Sequence, residues 1–181
     1  MTASPTASAT GPVAAPAPFE YRRRVAWTEV DPSGNYQFSA ALRYAEEAEI
    51  ALLRTLGLLE RLYPHLPRTF VRADFREPAH FDDELTVAIR VGRVGRSSVE
   101  FDFEVRRGAA LCAAGTLGSA NIGPDGHAAP LEADIAAELA RQAARAPRDP
   151  GPAGEQGPAA ERRRPAERGR AGDGQVVHGC A

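Results

Sequence analysis

Between Phe19 and Ile122 the spacing of apolar residues changes from every second position to every third or fourth, and then back again. That succession constrains the fold more than any other feature of the chain. Phe19, Tyr21, Arg23, Val25 and Trp27 alternate with Glu20, Arg22 and Arg24, which is the pattern of a half-buried strand with an amphipathic Arg inside it. Asp31-Pro32-Ser33-Gly34-Asn35 is a turn cluster. Ser39 can cap a helix that runs to about Thr55, with Gly57 as its stop signal. Ala41, Leu42, Ala45, Ala48, Leu52, Leu53 and Leu56 fall on one stripe of that helix, and Glu46, Glu47, Glu49 and Arg54 lie mostly off it.

Four strands follow. Val71, Ala73 and Phe75 alternate with charged residues, as do Leu85, Val87, Ile89 and Val91 with Thr86, Ala88 and Arg90, and Val99, Phe101, Phe103 and Val105 with polar ones. The last strand, about 110–122, is rich in small residues. Gly95-Arg96 and Gly108 sit where hairpin turns are needed. A final helix over about 131–144 is expected at the edge. The reading is an α+β fold: four meandering antiparallel strands and a first strand form one sheet, wrapped around a long central helix. Such a sheet has an open edge, which a second copy would cover, so a homodimer or homotetramer is expected.

A chain of 181 residues with 43% hydrophobic composition can bury one core, expected at 19–145. Residues 1–18 and 146–181 are rich in Pro, Gly and small residues and read as a disordered arm and tail, the tail carrying Arg162-Arg163-Arg164. A formal net charge of −2 gives no bulk attraction to nucleic acid or to an acidic membrane. Every one of the 22 basic residues is Arg, a side chain suited to phosphate. Residues 1–18 lack the basic and apolar regions of a signal peptide, and no apolar run has the length of a membrane span. Cys112 and Cys180 suggest no disulfide framework. A cytoplasmic, reduced protein is the expectation.

Three segments carry a family resemblance. The stretch Trp27-Thr-Glu-Val-Asp-Pro-Ser-Gly-Asn-Tyr-Gln-Phe38, continued by Ser39-Ala-Ala-Leu-Arg-Tyr-Ala-Glu-Glu-Ala48, resembles the pattern Asp-Pro-x-Gly-His-Val followed by a helix with Leu-Arg-Tyr-Phe-Glu. Phe75-Arg-Glu-Pro-Ala-His-Phe-Asp-Asp-Glu-Leu85 resembles Phe-x-x-Pro-Ala-x-Tyr-Asp-Asp-x-Leu, and Val94-Gly-Arg-Ser-Ser-Val99 resembles a hairpin. Together, over residues 19–125, they resemble the 4-hydroxybenzoyl-CoA thioesterase family. The resemblance implies a hotdog fold and hydrolysis of an acyl-CoA or acyl-carrier-protein thioester, with no cofactor and no metal.

It also implies roles. Asp31 would be the nucleophile on the thioester carbonyl or the general base for water, and the backbone N–H of Phe38 the oxyanion donor. A carboxylate before a helix N-terminus suits that chemistry, because free N–H groups there can bind a developing oxyanion. Taken alone, the same residues read as a plain turn. Asn35 stands where the family has His, and can donate a hydrogen bond but not titrate; Ala40 stands where the family has Asn. Arg93, Arg96, Ser97 and Ser98 lie on the hairpin that in the family runs near the CoA phosphates, and also read as surface charge at a turn. Glu46 and Glu47 read as a solvated face paired with Arg43, although a second hotdog subfamily carries its acid on the helix. His65, His80 and His127 read as solvated, Cys112 as a small core residue, and Asp82-Asp83 as no metal site.

Two rival readings stand beside hydrolysis. One is a non-catalytic acyl-CoA-binding hotdog protein, to which Asn35 and Ala40 point. The other is a hydratase or dehydratase, which needs a histidine near Asp31; His80 is the candidate if the fold brings it close.

Overall fold

The structure is a computed structural model, and it describes residues 17–144. The rest of the expected arm and all of the expected tail, with Cys180, lie outside them. Five strands form one antiparallel sheet: β1 (Phe19–Arg24), β2 (Arg68–Phe75), β3 (Glu84–Val94), β4 (Ser98–Arg107) and β5 (Ala110–Ala120). Helix α1 (Phe38–Thr55) crosses the face formed by β1, β3 and β4, a short α2 (Leu59–Leu62) follows it, and α3 (Ala133–Ala144) packs on β3. This is the α+β hotdog architecture.

Strand order is β1-β3-β4-β5-β2. The expectation of four meandering strands therefore holds only for β3, β4 and β5. β2 pairs with β5, Val71 opposite Leu117, at the edge farthest from β1. Alternation records which face of a strand is buried and is silent about its neighbours. Helix α1 is roughly 27 Å long and, with the turns after it, carries the chain from one edge of the sheet to the other.

Where sheet and helix meet, the burial follows the sequence pattern. Leu85, Val87, Ile89 and Val91 on β3 and Val99, Phe101, Phe103 and Val105 on β4 are all buried, with Val87 opposite Val105 and Ile89 opposite Phe103. From α1 the core takes Ala40, Ala41, Tyr44, Ala45, Ala48, Leu52 and Leu53. The small residues of β5 have a steric cause. A Cβ at Gly115 would come 2.0 Å from the Arg72 carbonyl oxygen, and one at Gly118 would come 2.1 Å from the Phe70 ring.

Several local expectations need correction. Ser39 does not cap α1; Gln37 takes that position without a side-chain hydrogen bond, and Phe38 opens the helix. Trp27 does not face the core. β1 ends at Arg24, residues Trp27–Glu29 turn as a short 3-10 helix, and Trp27 is 71% exposed. Val71 and Phe75 are also exposed, because they lie on the edge strand beyond the faces that α1 covers. Glu49 is fully buried, with Arg68 bonded to it at 2.6 Å. No helix among the described residues is long and apolar enough to cross a membrane.

Candidate active site

The loop between β1 and α1 is a small ribbon closed on itself. Val30 and Tyr36 form an antiparallel bridge, the Asp31 amide donates to the Asn35 carbonyl at 2.8 Å, and the Gly34 amide to the Asp31 carbonyl at 2.9 Å. Gly34 has φ +83°, a conformation glycine adopts without steric cost. The Asp31 side chain is half-buried at the tip. Its Oδ1 accepts the Ser33 amide at 2.8 Å and the Ser33 hydroxyl, and the Asn35 side-chain amide donates to that hydroxyl at 2.9 Å. The Ser33 hydroxyl, above all, holds the Asp31 carboxyl below the usual carboxylate range. Asp31 is therefore ionised at neutral pH, as a base or nucleophile must be.

The ribbon leads directly into α1. The Gln37 amide donates to the Glu29 carbonyl at 2.8 Å, no side chain caps the helix, and the Ala40 amide folds back on the Gln37 carbonyl at 2.8 Å, which leaves the Phe38 and Ser39 N–H groups as the donors of the helix start. Phe38 itself is 68% exposed. Trp27 and Phe81 are exposed too, and their rings meet edge to face at 5.6 Å.

Glu29 fixes the base of the ribbon, and sequence reasoning missed it. Its carboxylate is buried beneath the loop. It accepts Tyr44 Oη at 2.6 Å, the Ala26 amide at 2.9 Å and Arg23 at 2.9 Å, with Arg43 at 3.5 Å. Burial pushes its carboxyl up, but those hydrogen bonds outweigh burial and hold it below the usual range. Arg23 also spans to Glu47 at 3.5 Å and lies over the Tyr44 ring. The Arg inside the alternating pattern of β1 is thus a core-facing cation with partners. Glu46 pairs with Arg68 at 3.3 Å, and Arg43 turns to Glu29 rather than to Glu46 or Glu47.

The fold brings His80 to this loop. Asn35 and His80 form an isolated bridge, and the Tyr36 amide donates to the Ala79 carbonyl at 2.7 Å. His80 Nδ1 stands 3.3 Å from Arg107 Nη1, and both sit beside Asp83, whose Oδ2 accepts Arg107 at 2.9 Å and the His80 amide at 2.8 Å. Asp83 is thus a structural clamp. His65 closes a short 3-10 helix (Tyr63–His65) and His127 lies in the turn after β5. Cys112 is buried, and burial raises its thiol. No group of three or more His, Cys, Asp or Glu among the described residues could hold a metal ion.

Arg93, Arg96, Ser97 and Ser98 are not brought to Asp31 within one protomer. β3 leaves the Asp31 loop at Glu84 and reaches their hairpin only at Val94, roughly 30 Å away along the strand. The Ser97 carbonyl accepts the Asn121 amide and the Arg96 carbonyl that of Leu131. At the same far end, Phe19, Leu52, Leu56, Ile89 and Val91 line a cavity of about 400 Å³.

Residues 38–113 match the family model of the thioesterase superfamily, a segment that starts at Phe38, just after the Asp31 loop. No curated protein matches the sequence. Among solved structures, a hypothetical protein from Thermus thermophilus is 26% identical with a TM-score of 0.63, covering 68% of this chain and 98% of its own. A second Thermus thermophilus protein, a thioesterase complexed with coenzyme A and Zn, is 25% identical with a TM-score of 0.65, covering 72% and 98%. A 1,4-dihydroxy-2-naphthoyl-CoA thioesterase from Synechocystis, 24% identical with a TM-score of 0.61 over 67% and 95%, shares the fold. The family match from α1 into β5, and the sheet and helix that carry it, make this chain similar to the thioesterase superfamily over residues 38–113, on a hotdog fold.

Proposed function

We propose that the protein hydrolyses an acyl thioester of coenzyme A or of an acyl-carrier protein to the free acid and the thiol, with Asp31 as nucleophile or general base. The observation that carries this reading is an ionised carboxylate held at the tip of a loop that runs straight into an uncapped helix start. In the reading, the Phe38 N–H receives the carbonyl oxygen as it gains charge, and Asp31 attacks the carbonyl carbon or takes a proton from the attacking water. Asn35 acts through the hydrogen bond it gives Ser33. The thioesterase superfamily match over residues 38–113 supports the reaction class, and the coenzyme A bound by the Thermus thioesterase supports the thiol.

The reading includes a homodimer, or a dimer of dimers. β2 leaves one edge of the sheet open and exposes Val71 and Phe75. It also assigns Arg93, Arg96, Ser97 and Ser98 to the nucleotide end of the substrate. Because that hairpin is distant from Asp31 of its own chain, the hairpin serves a thioester bound at the partner's loop. The test is thiol release from acetyl-, decanoyl- and benzoyl-CoA. Tight binding with no release from any thioester would favour the acyl-CoA-binding alternative.

A second reading draws on His80, which faces Asn35 across the bridge. An acid beside a histidine suits addition of water to an enoyl thioester. Loss of enoyl-CoA absorbance with no thiol released would favour it.

A further inference from the structure

We propose that Ser33 is a positioning residue for Asp31, its hydroxyl and amide together holding one carboxylate oxygen in place while Asn35 orients that hydroxyl. This rests on the reading that Asp31 drives hydrolysis. Both Ser33 bonds fall on the same oxygen, Oδ1, which assigns Oδ2 to the water or to the carbonyl carbon.

The direction of the chain follows from donor and acceptor chemistry. An ionised carboxylate only accepts, so the single Ser33 proton goes to Asp31. The Ser33 oxygen then has only lone pairs to offer Asn35, which must present its NH₂ group, at 2.9 Å. Asn35, Ser33 and Asp31 are thus linked in one polarity, from amide to hydroxyl to carboxylate. The backbone holds the chain in register. Pro32 fixes its own φ before Ser33, Gly34 turns back with its amide on the Asp31 carbonyl, and Asn35 is pinned from the other side by the bridge to His80. The charged groups around that bridge, Asp83 and Arg107, are bonded to each other, and the Asp31 carboxylate is held chiefly by Ser33, with the Asn35 backbone amide acting on it more weakly. A turn needs only the backbone bond, whereas the added hydroxyl and its orienting amide act on the carboxylate itself.

Four variants test this: Ser33→Ala, Ser33→Thr, Asn35→Ala and Asp31→Asn. Each is checked for an unchanged melting temperature. The readouts are kcat and KM on the best acyl-CoA of the panel, and the titration of the Asp31 carboxyl carbon by NMR, assigned by its disappearance in Asp31→Asn. Ser33→Ala is expected to lower kcat about 10- to 100-fold, the scale of a misplaced reacting group, with KM little changed. Its Asp31 carboxyl should titrate at higher pH than in the wild type, because the hydroxyl is the main cause of the lowered value. Ser33→Thr, which keeps a hydroxyl, should restore both, and Asn35→Ala should move both by less and in the same direction. Wild-type kcat and wild-type titration in Ser33→Ala overturn the proposal, as does an equal loss in Ser33→Thr. Wild-type hydrolysis in Asp31→Asn overturns the underlying reading instead, and is recognised as such because the Ser33 readouts are measured separately.

Discussion

Glu29 decides how firmly the Asp31 loop is held. It joins β1, the loop and α1, through Arg23, the Ala26 amide and Tyr44. Glu29→Gln keeps the shape and removes the charge from a buried set of donors. It is expected to cost about 2–4 kcal/mol at neutral pH, in the range for breaking a buried charged network. Because the Glu29 carboxyl is held below its ordinary value in the folded protein, its contribution is complete above the unfolded carboxylate range and is lost as pH falls through the lower folded value. Urea denaturation at pH 7 and at progressively lower pH checks this. The gap between wild type and variant should narrow on the acid side, and a gap independent of pH would contradict it. The turn at Asp31 was legible in the sequence because Asp-Pro-Ser-Gly before a helix is a local signal, while the role proposed for its carboxylate came from the family resemblance. Glu29 was not, since its partners Arg23, Arg43 and Tyr44 come from two other elements. Ser33 read as a turn residue because no sequence pattern says which way a hydroxyl points.

Elements were legible where burial is one-sided and local. β3, β4 and the buried stripe of α1 follow their alternation and their three-four spacing because each packs one face on the same core. β2 was misplaced because the identity of a strand's partner depends on where a long crossover delivers it, and Trp27 because its strand stops three residues earlier. The β3–β4 hairpin is where an element-level proposal is most exposed to test. Arg93→Ala and Arg96→Ala are expected to raise KM for acyl-CoA several-fold with kcat little changed, since a contact remote from the carbonyl contributes equally to ground and transition states. A short acyl thioester without the nucleotide should not respond. Equal losses on both substrates would show that the arginines do not hold the nucleotide. Arg93 already pairs with Glu100 at 3.4 Å, so Arg96 should have the larger effect.

At the scale of the whole molecule, the hotdog sheet is a structure with an unfinished edge. The backbone groups along the outer side of β2 have no strand to pair with in the described chain, and Val71 and Phe75 beside them are exposed. In the proposed dimer a second copy would cover both, and the same pairing would carry a hairpin toward the partner's loop. Val71→Lys combined with Phe75→Lys should convert a dimer to a monomer in sedimentation at micromolar concentration, and a wild type that sediments as a monomer while turning over substrate would contradict the shared-site reading. Asp31→Asn preserves size and turn geometry while removing charge and basicity, and the proposed oxyanion donors are backbone groups that the substitution leaves in place. Thiol release by folded Asp31→Asn should fall by a factor of about 10² to 10⁴ with substrate binding largely retained; wild-type release from that variant would contradict the assignment of Asp31.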